Sequence, residues 1–317
     1  SLFDGHPKTT TLPSVYFSEY FDNSSWEWLI SRGWSELVSR FMAKYDVLFD
    51  SSSDSPIQTK GKKLLYRFGQ AEGMTKVGYS QNEKLTVDRS LFASNLKEYI
   101  KGYDHLDAFN FFKLVHNSYE GAIGNTDKKN LIFYHIHNPD TEAQLNFAQL
   151  VPDAKWIIMV REPIQSCESW IQKKIIDGNF DDYGKQIILI FFEIDNIIYK
   201  RQQSIGVRLE DLKMFPKKVI PALCEWVGID ETDSLYKMTA QGKKWWGDPA
   251  SPDYLTDGMD PFGKNCINRK VGLIFSEMDQ FILKTLFYPF NVRFGYERAN
   301  MKKFKNDLQK VRPLLDE

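Results

Sequence analysis

The sequence has few cysteines and no excess of either charge. Its three cysteines, Cys167, Cys224 and Cys266, are odd in number and widely spaced, which argues against a disulfide framework and against a CxxC metal site. We therefore expect a reducing compartment and a cytoplasmic location. The 41 basic and 42 acidic side chains give a formal net charge of −1, so the surface as a whole offers no electrostatic reason to expect nucleic acid or an anionic membrane as a partner.

Long apolar runs are also missing. No stretch approaches the roughly 18 apolar residues that a membrane span needs. The longest run, Ile187–Ile198, is interrupted by Glu193 and Asp195 and predicts a buried helix. The first residues do not resemble a secretory signal peptide. The sequence therefore predicts no membrane span.

Three common catalytic motifs are absent from the chain. There is no GxxxxGK phosphate loop followed by Ser or Thr, and no GxGxxG fingerprint, so common nucleotidases and dinucleotide enzymes lose support. No GxSxG nucleophile elbow occurs either, which weakens the case for an α/β-hydrolase.

Aromatic residues are plentiful, at 15% of the chain. They fit a deep, ring-lined cleft or a large core, and the general dominance of aromatics in core packing favours the core. The helical region Trp26–Phe49 carries many of them. It stays open at this stage whether these rings line a pocket or fill the interior.

The pattern of apolar residues predicts a single domain with a parallel sheet. A strand, a helix and a strand follow one another in the centre of the chain, as in a parallel βαβ unit. The predicted strands are Leu131–His137, Lys155–Val160 and Ile205–Leu209. The predicted helices are two within Ser90–Tyr119, separated near Gly102, and Thr141–Leu150, Tyr183–Gln203, Phe215–Val227 and Ser276–Leu286. Residues 1–13 are predicted to be a helix end and a loop.

Reactive side chains follow two of the predicted strands, where open parallel sheets bind ligands. Arg161 ends one strand, and Pro163 suits the first turn of the helix after it, whose free N–H groups favour an anion. Arg161 and Ser169 could bind one phosphate, the arginine with two N–H groups. The other interpretation is a structural Arg161–Glu162 ion pair with Ser169 on the helix surface.

His137 ends the strand before, and His135 shares its face because side chains alternate along a strand. Two histidines on one face can bind a metal, but no third ligand has suitable spacing. The favoured interpretation is a general base at the strand end and a structural histidine before it. A carboxylate from the N-terminal region, with Glu19 the nearest, is the rival base.

A basic segment, Asn268–Gly272, follows a loop rich in Gly and Pro. It is either a phosphate-binding turn or a solvated turn before the helix Ser276–Leu286.

Together these segments resemble the sulfotransferases that use 3′-phosphoadenosine 5′-phosphosulfate (PAPS). Asp153–Pro163 with Ser169 is similar to that family's 3′-phosphate motif, including the eight-residue step from Arg161 to Ser169. The other similar segments are His137–Pro139, Val207–Leu212, Leu223–Ile229, Arg269–Gly272 and Phe294–Tyr296. The similarity extends from about Tyr134 to Tyr296, and the order and spacing of these segments carry it.

The resemblance implies a three-layer α/β/α fold with a short parallel sheet, of the sulfotransferase or P-loop-like type. It implies PAPS as co-substrate, 3′,5′-ADP as product, a small-molecule or carbohydrate acceptor, and no metal. His137 would be the catalytic base. The residues implied in nucleotide binding are Arg161, Ser169, Arg269, Lys270 and Gly272.

The chain departs from the family pattern in three places. The phosphosulfate loop is not intact: His6–Thr11 lacks its glycine, and we expect the loop to lie upstream of residue 1. Leu209 stands where many members have a tyrosine near the adenine. The segment Lys243–Pro249 lines the acceptor pocket or anchors a loop. Two rival functions stay open: a non-catalytic nucleotide-binding protein of this fold, and a phosphotransferase that uses ATP and magnesium.

Overall fold

The computed structural model of the chain forms helices and short two-stranded sheets. The described residues are 2–12, 17, 20–50, 76–125, 127–136, 141–176, 178, 184, 187–188, 196–247, 261–263 and 271–315. They divide into two compact units. The first comprises Ser1–Pro152 and Ile220–Pro261, and the second comprises Asp153–Val219 and Phe262–Glu317.

The helices and strands have the following bounds. The helices are α1 Asn23–Ile30, α2 Leu37–Lys44, α3 Arg89–Ile100, α4 Ala108–Ala122, α5 Thr141–Leu150, α6 Pro163–Ile176, α7 Leu209–Met214, α8 Pro216–Val227, α9 Glu277–Leu286, α10 Tyr288–Arg293 and α11 Met301–Leu315. The strands are β1 Thr9–Thr10, β2 Leu131–Ile132, β3 Trp156–Val160, β4 Ser204–Arg208, β5 Thr239–Ala240 and β6 Lys243–Lys244. Among the described residues, no helix combines the length and the hydropathy needed to cross a membrane.

Two of the strand pairs are parallel. β1 pairs with β2, and β3 pairs with β4 over five residues, from Trp156 opposite Ser204 to Val160 opposite Arg208. β5 and β6 are antiparallel. The expectation of an α/β protein with short parallel sheets is confirmed at this level, while the three-layer order stays a prediction.

The N-terminal segment differs from its prediction. Residues 9 and 10, expected in a loop, form β1 and lie parallel to β2. Both threonines are buried, and β-branched side chains favour such a pleated surface. β2 in turn is shorter than the predicted strand Leu131–His137, because its pairing with β1 covers two residues only.

Contacts with distant residues hold this N-terminal segment in the first unit. The carboxylate of Asp4 accepts the backbone N–H of Gln241 at 3.1 Å and that of Gly242 at 2.9 Å. The ring of His6 is fully buried, and its Nε2–H donates to the carbonyl oxygen of Asp230 at 3.0 Å. Segments more than 220 residues apart in the sequence therefore meet here.

Aromatic rings fill the core of the first unit, as the core interpretation predicted. Phe17 packs between other rings, with centroids 4.7 Å from Tyr20, 5.0 Å from Tyr45 and 5.7 Å from Phe112. The buried ring residues of this core are Phe17, Tyr20, Phe21, Phe41, Tyr45, Phe49, Phe92, Phe111, Phe112 and Tyr119. Trp28 and Trp34 of the same region are exposed instead.

The second unit packs helices on the β3–β4 pair. Ile164, Cys167 and Ile171 of α6 are buried at helical spacing and form an apolar stripe. They pack in one cluster with Phe287 and Phe290. The helix α9 in this unit begins at a capping box, in which the Ser276 hydroxyl accepts the N–H of Asp279 and the Asp279 carboxylate accepts the N–H of Ser276.

The predicted helix Tyr183–Gln203 falls mostly outside the described residues. Its last part, Ile197–Lys200, is a turn of 3-10 helix. The side chain of Asn196 accepts the N–H of Ile198 at 2.9 Å, and such a local bond competes with a continuous α-helix.

Candidate functional site

The carboxyl ends of β3 and β4 meet at one edge of the second unit. Val160 and Arg208 are partners in the last register position of the pair. β3 is followed by Arg161, Glu162 and the helix α6, and β4 runs directly into α7. Parallel sheets place ligand-binding residues at this edge, so we take it as the candidate site.

Glu162 closes the first turn of α6 at this edge. Its carboxylate oxygen Oε2 accepts the backbone N–H of Gln165 at 2.7 Å. Its own backbone N–H donates to Oε1 of Glu210 at 3.0 Å. Burial raises the pKa of Glu162 and the neighbouring Glu210 raises it further, against the N–H groups of the helix start, which lower it. The carboxyl groups of Glu162 and Glu210 thus already accept two of the backbone N–H groups that could otherwise bind an anion at this edge.

The C-terminal segment Phe294–Tyr296 is attached to the same edge. The Tyr296 hydroxyl donates to Oε2 of Glu210 at 2.8 Å. Burial raises the pKa of Tyr296 well above its usual 10, and the bond to Glu210 adds to the rise. The Arg208 guanidinium donates to Oδ2 of Asp211 at 2.6 Å and to the carbonyl oxygen of Gly295 at 2.9 Å. The segment is therefore fixed to the end of β4 by side chains of β4 and α7.

Arg161 lies between the end of β3 and the start of α6, and Ser169 lies in the middle of α6. Arg161 is half-buried directly after β3, and Ser169 is half-buried on α6. Ser169 follows Pro163 by six residues, which correspond to about 9 Å of helix axis. A phosphate bound by both residues therefore requires the Arg161 side chain to extend along the first turns of α6. One turn before Ser169 on this helix, the amide oxygen of Gln165 is buried and has no hydrogen-bond partner among the described residues.

Gly272 lies against α6 at Glu168, the residue before Ser169 in the sequence. Its backbone N–H donates to both carboxylate oxygens of Glu168, at 3.0 and 2.8 Å, and the N–H of Ile274 donates to one of them at 2.8 Å. Gly272 has a φ of +102°, a conformation that glycine adopts readily. Helix α6, which carries Ser169, and the predicted nucleotide-binding residue Gly272, 104 residues after Glu168, are thereby brought together. Arg269 and Lys270, predicted with Gly272, lie outside the described residues.

Sequence reasoning did not single out Glu168. It is 3% exposed and follows Ile164 by four residues, on the buried stripe of α6. A glutamate on such a stripe needs hydrogen-bond partners, and that was the signal available in the sequence. Its partners could not be named, because they lie on a distant segment.

Of the described histidines, His6 and His116 are buried, whereas His105 and His135 are exposed. His137, the predicted base, lies outside the described residues. His135 is exposed and lies beyond the end of β2, so the strand on which the two histidines were expected to share a face ends before it. His116 is buried, and its Nδ1–H donates to the carbonyl oxygen of Phe112 at 2.9 Å. Within the part of the chain that the structure describes, no three His, Cys, Asp or Glu side chains group to hold a metal ion.

The described part of the segment Lys243–Pro249 anchors a loop in the first unit. The ring of Trp246 is buried, and its Nε1–H donates to the carbonyl oxygen of Gly78 at 2.8 Å. The ammonium group of Lys244 lies 3.9 Å from the centre of the same ring, within the range of a cation–π contact. These contacts favour the anchoring interpretation over a pocket wall.

Comparisons with known proteins give one structural neighbour to report. No family model matches the chain, and no curated protein matches it. Among solved structures, the chain is similar to a sulfotransferase domain from the curacin biosynthetic pathway, with 16% sequence identity and a TM-score of 0.42. The match covers 66% of this chain and 81% of that domain. Likeness at this level does not establish a shared family or a shared activity.

Proposed function

We propose that this chain is a PAPS-dependent sulfotransferase, which moves a sulfuryl group to a hydroxyl or amine of a small-molecule or carbohydrate acceptor. One observation carries the proposal. Glu168, the neighbour of Ser169 on α6, accepts the N–H groups of Gly272 and Ile274. The helix that carries Ser169 of the segment resembling the 3′-phosphate motif is therefore in contact with Gly272, the last residue of the similar segment Arg269–Gly272, although nothing in their local sequences requires it.

The donors at this corner fit a phosphate group. Arg161 offers a planar guanidinium that binds two phosphate oxygens, and Ser169 offers a hydroxyl donor on the helix that follows. The carboxyls of Glu162 and Glu210 already bond to backbone and tyrosine donors. The proposal assigns binding of the 3′-phosphate to the Arg161 and Ser169 side chains, with Arg269 and Lys270 as further basic groups.

In the proposed reaction, the only chemical step assigned to a side chain of this protein is the removal of a proton from the acceptor. PAPS supplies the sulfuryl group and leaves as 3′,5′-ADP. His137 would take the acceptor proton while the acceptor oxygen or nitrogen bonds to sulfur and the bond from sulfur to the nucleotide's phosphate oxygen breaks. Arg161 and Ser169 would fix the nucleotide so that its sulfur faces the acceptor. No metal is required for these steps.

Calorimetric titration tests the nucleotide part of the proposal. We expect the protein to bind 3′,5′-ADP more tightly than 5′-AMP or ATP with magnesium, because only the first carries the 3′-phosphate. Arg161→Ala removes a charge-assisted contact of about 1.5–3 kcal/mol. Its dissociation constant for 3′,5′-ADP should therefore rise about tenfold to a hundredfold, with little change for 5′-AMP. Arg312→Ala, at an exposed position on α11, is the matched control.

Other results would favour the rival functions. Preference for ATP with magnesium would support a phosphotransferase and contradict the proposal. An equal loss for 3′,5′-ADP and 5′-AMP would make Arg161 a structural residue. Tight binding of 3′,5′-ADP, without transfer of labelled sulfate from PAPS to any acceptor class, would support a nucleotide-binding protein that does not catalyse transfer.

A further inference from the structure

The Glu168 carboxylate occupies a concave turn of backbone N–H groups. The N–H of Gly272 approaches Oε2 at 2.8 Å and Oε1 at 3.0 Å, while the N–H of Ile274 approaches Oε1 at 2.8 Å. Turns that direct successive N–H groups to one point bind anions. In this chain the anion in the turn is the protein's own carboxylate.

The surroundings of Glu168 keep it in this turn. Its side chain is 3% exposed, and its helix neighbours Ile164, Cys167 and Ile171 belong to the buried apolar cluster. A carboxylate displaced from its N–H partners in such a place would lose its hydrogen bonds without gaining water. A phosphate that came to the same N–H groups would also approach a like charge. Exchange of Glu168 for a phosphate in this turn is therefore unfavourable.

We infer that Glu168 is a positioning residue for the nucleotide's 3′-phosphate, and that Gly272 acts through it rather than by donating to the phosphate. Glu168 holds Gly272 and Ile274 against α6, one residue from Ser169. It thereby sets the position of the loop relative to the Ser169 hydroxyl. This inference rests on the proposed function. It differs from the sequence prediction in that Gly272 affects nucleotide binding through Glu168 and does not contact the nucleotide itself.

Two substitutions of Glu168 separate hydrogen bonding from charge. In Glu168→Gln, the amide oxygen can replace Oε1 and still accept both N–H groups, while the bond to Oε2 is lost. In Glu168→Ala all of these bonds are lost. We expect the dissociation constant of 3′,5′-ADP to rise a few-fold in Glu168→Gln and about tenfold or more in Glu168→Ala. The constant for 5′-AMP should stay within about twofold in both, as expected for a contact that acts on the 3′-phosphate alone.

Hydrogen exchange measures the structural half of the inference without nucleotide. The amides of Gly272 and Ile274 should be protected in the wild type, partly protected in Glu168→Gln and unprotected in Glu168→Ala. Glu277→Gln, at an exposed position in the first turn of α9, is the control and should change neither exchange nor affinity. If Glu168→Ala does not fold, Gly272→Ala gives a second route, because a φ of +102° strains any other residue. It should produce the same selective loss.

Each result decides between the inference and its rivals. Equal weakening of both nucleotides would make Glu168 a general structural residue and overturn the inference. Unchanged or tighter binding of 3′,5′-ADP in the variants would mean that the carboxylate is irrelevant or competes with the phosphate, and would overturn it as well. A wild-type protein with no preference for 3′,5′-ADP would overturn the proposed function, whereas a preferring wild type with unselective variants would overturn only the role of Glu168.

Discussion

Gly206 in the middle of β4 gives the sharpest stability prediction, because an aromatic ring lies directly over it. A Cβ atom added to Gly206 would meet Cε1 of Phe294 at 2.4 Å and Cδ1 at 2.7 Å. The ring cannot move away freely, since its centroid lies 5.3 Å from that of Tyr199 and 4.7 Å from that of Phe290. The substitution Gly206→Ala therefore forces β4 and the Phe294 ring apart.

The expected size of the effect follows from this overlap. Overpacking of this kind destabilises a protein by about 1–3 kcal/mol. In the Phe294→Ala background the overlap is gone, and alanine is then favoured over glycine in a strand by about 0.5–1 kcal/mol. The same substitution should thus be destabilising in the wild type and neutral or stabilising beside Phe294→Ala. The coupling between the two positions, which is the difference between these two effects, should be about 1–4 kcal/mol.

Urea unfolding followed by circular dichroism measures the stability of the wild type, of Gly206→Ala, of Phe294→Ala and of the double variant, which together form a double-mutant cycle. The slopes of the transitions should agree, so that midpoints report stability. Gly102→Ala is the control, since its added Cβ would approach nothing closer than 3.5 Å. A neutral Gly206→Ala in the wild type, or the same cost in both backgrounds, would refute the contact between Phe294 and β4.

The remaining predictions concern pH. Burial lowers the pKa of His116 from 6.5 to about 4, so the unfolded chain takes up a proton at a higher pH than the folded chain does. The free energy of unfolding should therefore fall by about 3 kcal/mol as the pH drops from 6.5 to about 4. Urea titrations of His116→Gln should not show this fall. The raised pKa of Tyr296 means that the unfolded chain releases its proton first, so stability should decline as the pH rises above 10. Tyr296→Phe should make that decline less steep. At neutral pH it should lower the free energy of unfolding by about 1 kcal/mol, because the hydrogen bond to Glu210 is lost. If the decline at alkaline pH is unchanged in this variant, groups other than Tyr296 cause it.

The sequence predicted well those elements whose signals are local. β3 and β4 lie within one residue of the predicted strands Lys155–Val160 and Ile205–Leu209, since each is a short apolar run that charged residues end. The helix α9 starts directly after Ser276, where the sequence has an N-cap. These signals depend on neighbouring residues alone.

Elements that depend on distant partners could not be predicted in this way. β1 is two residues long, and its identity as a strand comes from β2, more than 120 residues later in the chain. The same holds for Glu168, whose partners Gly272 and Ile274 follow it by 104 and 106 residues. Spacing suggested Arg161 and Ser169, but the contact that joins Gly272 to their helix exists only in the folded chain.

The bonds of Asp4 and His6 to residues 230–242 affect the order in which the chain can fold during synthesis. The ribosome adds roughly 5–20 residues per second, so Asp4 precedes its partners Gln241 and Gly242 by roughly 12–50 seconds at that rate. Throughout this interval the N-terminal segment has none of those partners. β3 and β4 are complete at residue 208, earlier than those partners are made. Asp4 and His6 are thus made long before the residues that fix them, and chaperones that bind emerging chains would meet this segment before its bonds to residues 230–242 can form.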